Sequence, residues 1–271
     1  MNKKLVAIIA VVAAVLCLAV AFFLKNRTGG KTEEINAAFS EQQSKYAETT
    51  HGKIDEEEVD EAVEILGIVT DSVNQLKSSE ANFTGHKVQS INMELTDSSI
   101  PAMNSVANGI ISLFIKDEEY DYDFTNGMSS DPEEGGTISS NKCFPPEDKF
   151  FQLNVDGLAG ARKTMSGENT VYTVVIVSEM STLENPRPTH HSSAADTLDL
   201  SSVEIPVVTM NRVDFVYPGA EISVTISPDG KVIGYHEHLE IIGTGEVSGL
   251  GMTGYGTIEG YIDEKWDIQW K

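Results

Sequence analysis

The chain has 271 residues, with 19 Lys and Arg against 42 Asp and Glu, a formal net charge of −23 at neutral pH. Such an acidic surface repels nucleic acid and anionic lipid headgroups, so polyanion-binding functions are excluded first. Two cysteines, Cys17 and Cys143, are too few for a disulfide-stapled scaffold, and the length suits one large domain or two small ones.

The first element is an apolar run, residues 5–24, twenty positions without a charge. At about 1.5 Å per residue a helix of that length spans roughly 30 Å, the hydrocarbon core of a bilayer. Residues 1–4 form a short tail with Lys3 and Lys4, and Lys25 and Arg27 follow the run. Positive charge at both ends leaves orientation to the long acidic domain, which translocates largely regardless of charge. The expectation is a single-pass anchor in the cell membrane with the tail inside and the C-terminal domain outside. The competing reading is a cleaved signal peptide, with Ala19-Val20-Ala21 as the site before Phe22. The run continues through Phe22, Phe23 and Leu24, which suits an anchor better. Residues 1–27 hold four Lys/Arg and no acid, so the remainder carries 15 basic against 42 acidic residues, a net of −27.

Residues 25–53 are polar and read as a stalk, with a short helix carrying Ile35, Phe39 and Tyr46. Residues 54–271 read as the extracytoplasmic domain. From Asp55 to Lys77, Val59, Ala62, Val63, Leu66, Val69, Val73 and Leu76 recur at helical spacing behind an acidic first turn. Ile91, Met93 and Leu95 alternate as in a strand, and Ser98–Pro101 open a second apolar helix reaching Phe114. Glu119–Phe124 alternates acid with aromatic, and 125–148 is loop-like. Strands follow at Phe151–Val155, at Thr170–Glu179 as the central strand, and at Val203–Val208 as an edge because of Pro206. The next are at 213–217 and 222–226, then at 231–247 and 252–268, with a Ser227-Pro228-Asp229-Gly230 turn before the last pair. Helices first and strands later imply an α+β fold, with one or two amphipathic helices packed on a curved antiparallel meander.

Seven glycines between Gly243 and Gly260 interrupt strand-like sequence, which points to strong curvature or to a ligand groove. With the N-terminal anchor, the long helix and the hairpin SVTISPDGKVIGYHEHLEI, this arrangement resembles bacterial envelope carriers of the LolA-like type and TULIP-type lipid-binding domains. The resemblance is one of architecture over residues 55–268 and carries no site residue. It implies a sheet curved over helices around an apolar cavity.

The chain has no G-x-S-x-G, H-E-x-x-H, C-x-x-C or P-loop, so no catalytic residue and no cofactor is expected. His236 and His238, two apart on one strand face, are the candidate metal ligands, with His190 or His191 as a third. Two ligands do not make a site, and a solvated strand face is the bland alternative. Glu237 shares its face with Ile233, Tyr235, Leu239 and Ile241. A carboxylate there is neutral, paired, or bound to something, and Arg212 and Lys163 are candidate partners. Glu237 and Tyr235 are therefore the candidate ligand-site residues, unless a bulge at Gly234 turns Glu237 outward. Asp117–Asp123 is acidic but lacks calcium-loop spacing. The functional expectation is a membrane-anchored binding module for a lipid-like ligand or an envelope partner. The alternatives are an interaction domain with a filled core and a metal-dependent enzyme.

Overall fold

The computed structural model describes residues 31–49, 54, 58–101, 104–115, 117–202, 209–249 and 252–271. The expected anchor at 5–24 and the expected edge strand at 203–208 lie outside these residues. Among the described residues no helix is long and apolar enough to cross a membrane.

The fold is α+β. Helices α1 (Lys31–Thr49), α2 (Val59–Leu76) and α3 (Asn104–Phe114) pack on an antiparallel sheet of nine strands. These strands are β1 (Phe83–Ser98), β2 (Glu118–Phe124), β5 (Leu158–Ser166), β6 (Asn169–Ile176), β7 (Glu179–Thr182), β8 (Thr209–Tyr217), β9 (Ala220–Ile226), β10 (Val232–Gly249) and β11 (Met252–Trp270). A small hairpin, β3 (Met128–Ser130) and β4 (Thr137–Ser139), and two one-turn helices, α4 (Ser140–Cys143) and α5 (His191–Ala194), lie in the loops. The main path runs β2-β1-β11-β10-β9-β6-β5. At β10 the sheet forks: residues 232–239 pair with β9, and 242–248 pair with β8, which carries β7.

One face of the sheet holds the core. Alternation sends Phe83, Ile91, Met93 and Leu95 of β1, Ile222 and Val224 of β9, Tyr235, Leu239 and Ile241 of β10, and Ile258, Ile262, Trp266 and Ile268 of β11 to that face. Helix α2 covers it with Ala62, Ile65, Leu66, Val69, Val73 and Leu76. The stripe is one residue out of phase with expectation at its start. Ile65 is buried, whereas Val63 is 48% exposed. α3 covers the same face at the end of β1, where Asn108 donates to and accepts from the backbone of Leu95.

The segment expected as a stalk holds α1, which docks on the opposite face. Ile35, Ala38 and Phe39 cluster with Tyr255, the Arg212 guanidinium lies 3.8 Å from the Phe39 ring, and Gln42 donates to the carbonyls of Asp214 and Ile242. Within the sheet two glycines serve close approach. A Cβ at Gly260 would sit 2.1 Å from the Asn92 carbonyl, and one at Gly243 would meet the Phe215 ring at 2.7 Å. The strand expected to be central, 170–179, is instead second from the edge. Outside it lies β5, whose sequence LAGARKTMS has no apolar period to mark it.

Candidate functional site

The site starts from the pleat. In β10 and β11 every second residue faces the core, and the register sets Gln89, Glu264, Glu237, Ile222 and Val174 side by side across five strands. Two carboxylates are thus cross-strand neighbours on the buried face, Glu237 at 3% and Glu264 at 4% exposure. Like charges in that relation are destabilising unless something answers them.

For Glu264 the answer is a full set of donors. Lys87 Nζ lies 2.7 Å from Oε2, Gln89 Nε2 donates to the same oxygen at 3.0 Å, and Trp266 Nε1 donates to Oε1 at 2.8 Å. Burial pulls the Lys87 pKa down, but the Glu264 charge and hydrogen bond outweigh it and the net shift is upward. Glu237 has Tyr235 Oη at 3.1 Å. Burial pushes its carboxyl well above the usual carboxylate range, and the charges of Glu264 and Asp196 add to this. The shift favours the protonated, uncharged form of Glu237. The partners expected for it are engaged elsewhere, Arg212 with Asp214 and Lys163 over the Tyr172 ring.

The bulge near Gly234 is present, between Val232 and Gly234, but its effect is upstream. It turns Val232 inward and leaves Ile233 off the core face, while Tyr235, Glu237, Leu239 and Ile241 keep the inward phase.

Lys87, Gln89 and Glu264 form the floor of a cleft of about 320 Å³, walled by Tyr122, Cys143 and Asp196. Its rim is acidic, with Asp131, Glu133, Glu134 and Glu147. The rim loop is Asp131-Pro132-Glu133-Glu134-Gly135-Gly136, between β3 and β4. Asp131 Oδ1 accepts from the backbone N–H groups of Glu133 and Glu134 at 2.9 and 3.1 Å, and the two glycines take positive φ. The opposite wall is held by Lys77, buried at the end of α2. Its ammonium donates to the carbonyls of Asn141 and Pro146, each at 3.0 Å, and to that of Phe144. Burial brings Lys77 down to about 8. Burial also pushes the Cys143 thiol up to about 12, so it is no nucleophile at neutral pH. Burial raises the Asp196 carboxyl, against the backbone N–H of Glu147 that it accepts at 2.7 Å.

His236 and His238 lie on the other face of β10. His236 Nε2 is 2.8 Å and His238 Nδ1 3.1 Å from one oxygen of Asp263, whose second oxygen is 2.7 Å from Lys265 Nζ. Burial would raise the Asp263 pKa, but the hydrogen bonds from His236 and Lys265 bring it to about 2. Neither loop histidine joins them. His191 is buried against Tyr217 with Nδ1 2.9 Å from Glu179 Oε2, and His190 donates its backbone N–H to Glu179. Among the described residues no group of three His, Cys, Asp or Glu side chains could hold a metal ion.

Of the sequence candidates, Glu237 and Tyr235 touch each other and lie one strand behind the cleft floor. Lys87, Glu264, Asp196 and Cys143 were missed. Glu264 carried the same signal as Glu237, because it alternates with Ile258, Ile262 and Ile268. Lys87 carried it too, once β1 is extended back to Phe83. Asp196 and Cys143 reach the cleft from loops, where alternation is silent.

No family model matches the chain, and neither a curated protein nor a solved structure matches it.

Proposed function

We propose that this chain is a single-pass, membrane-anchored binding module with its domain outside the cell, and that the cleft over Lys87 and Glu264 takes a cationic ligand or a basic segment of an envelope partner. The observation that carries the reading is the cleft itself. Its floor is a satisfied ion pair, and its rim sets Asp131, Glu133, Glu134 and Glu147 around an opening large enough for an amine-bearing side chain. A net charge of −23 draws cations to such a rim by steering. The LolA-like and TULIP-type resemblance contributes a sheet covered by helices. Its apolar cavity finds less support, since Leu66, Val69, Val73 and Leu76 of α2 are packed in the core with the sheet. That packing favours a second reading, an interaction domain with a filled core.

Titration of the full chain in lipid nanodiscs with tetralysine and with tetraglutamate separates the readings. Calorimetry is expected to show binding of tetralysine alone, weakened by salt and by Glu133→Gln with Glu134→Gln. Equal binding of both peptides, or binding untouched by the two substitutions, overturns the cleft assignment. No binding of either leaves the filled-core reading.

A further inference from the structure

Outside residues 5–24, the two longest stretches without Asp, Glu, Lys or Arg are residues 98–115 and 247–258. They are far apart in sequence and meet in space. Ser98 pairs with Gly256, and the Ser99 N–H donates to the Tyr255 carbonyl at 3.0 Å. Together they make one end of the sheet, the end of the β10–β11 hairpin. In a chain that is 23% charged, an end built from two uncharged runs marks a surface that does not depend on water alone. α3 lies here. It buries Ala107 and Ile111 in the core, while Val106 is 50% exposed and Pro101 just before the helix is exposed.

The same end receives the start of α1. Ile35 and Phe39 cluster with Tyr255, Gln42 further on bonds Asp214 and Ile242, and Tyr46 donates to the Ser178 carbonyl. The helix thus runs away from the hairpin end. Lys31 is seven steps along the chain from Leu24, a reach of at most roughly 25 Å. If residues 5–24 sit in a bilayer, the end of the domain within that reach is the one that carries α3 and the tip of the β10–β11 hairpin.

We propose that α3 and the strand end beside it rest on the outer surface of the bilayer that holds residues 5–24, with the acid-rimmed cleft turned away from it. This rests on the anchor reading above and adds an orientation to it. An uncharged helix with Val106 exposed suits the headgroup boundary of a zwitterionic bilayer, whereas the carboxylates around Tyr255, with Asp97 at 3.0 Å from its hydroxyl and Glu246 as its cross-strand partner, are ones that anionic lipid would repel. Glu264 lies nine residues along β11 from Tyr255, which puts the cleft floor up to about 30 Å further out.

The test uses the full chain, with Cys17→Ala, in phosphatidylcholine vesicles carrying nitroxide-labelled lipid. An environment-sensitive fluorophore is attached at Val106→Cys, at Ser105→Cys as a second position, or at Met165→Cys. Cys143 stays, being buried. Met165 is 65% exposed at the opposite end, where it pairs with Thr170, which pairs with Ile226 beside Val232. The labels at 105 and 106 are expected to lose most of their emission to the nitroxide lipid, and the label at 165 to keep it. Unquenched labels at 105 and 106 on a chain that floats with the vesicles overturn the orientation and leave the anchor standing. Shielding of position 106 that rises with protein concentration and ignores the nitroxide assigns the face to a second copy and overturns it equally. A chain that does not float overturns the anchor and the orientation together.

Discussion

Strands β10 and β11 carry two carboxylate clusters back to back, and they behave oppositely. On the core face Glu237 is pushed well above the carboxylate range by burial, with Glu264 beside it on a lysine, an amide and an indole. On the outer face Asp263, one residue from Glu264, is pulled down to about 2 by two imidazoles and a lysine. The strands, and so the backbone, are shared. What differs is whether burial or bonds to cationic and imidazole side chains dominate, and alternation with period two decides that one residue at a time.

The largest test of this contrast removes the donor on the buried side. Lys87→Met leaves the Glu264 carboxylate in the core without its cation and is expected to cost about 3–5 kcal/mol in urea unfolding at neutral pH. A loss below about 1 kcal/mol would mean that Gln89 and Trp266 suffice alone.

Next in size is Glu237→Gln. A carboxyl whose folded pKa lies above its unfolded value carries no penalty below the unfolded pKa near 4.3. Above it, the wild-type protein loses about 1.4 kcal/mol per pH unit until the folded pKa is reached. Glutamine removes that dependence, so the variant is expected to gain on the wild type as pH rises from about 4 to 7. A gap that does not move with pH would show that Glu237 is not held neutral.

The smallest effect belongs to the outer face. Asp263 has its folded pKa below its unfolded value, so its contribution is present above about pH 4 and fades as pH falls through about 2. The site is partly solvated, so Asp263→Asn is expected to cost about 1 kcal/mol at neutral pH and progressively less as pH falls through about 2. A cost equal to that of Lys87→Met would erase the distinction between the faces.

Much of this was legible in the sequence because periodicity carries it. The α2 stripe from Leu66 onward, the inward phase of β10 from Tyr235 onward and the buried Glu237 follow from spacing alone, and the turn at Gly230 has the positive φ its sequence demanded. What was not legible lacks a period. β5 is an edge strand with half-exposed residues on both faces. α1 looked like a polar stalk because, among its described side chains, only Ile35, Ala38 and Phe39 join an apolar cluster. The cleft combines strand residues with loop residues such as Asp196 and Cys143, and its rim comes from a hairpin turn that composition marks only as a loop.

The fork at β10 has a mechanical consequence. A strand that changes partner midway divides the sheet into two branches that can open separately, β8 with β7 on one side and β9 with β6 and β5 on the other. Gln42 stitches one of these joints shut, since its single amide group holds a carbonyl of β8 and a carbonyl of β10. Gln42 sits on the helix next in the chain to the apolar run. Tension applied through residues 25–30 would therefore load this stitch early, peeling α1 from the sheet and freeing the β8 branch while the floor of the cleft, on β1 and β11 beyond the fork, stays in place.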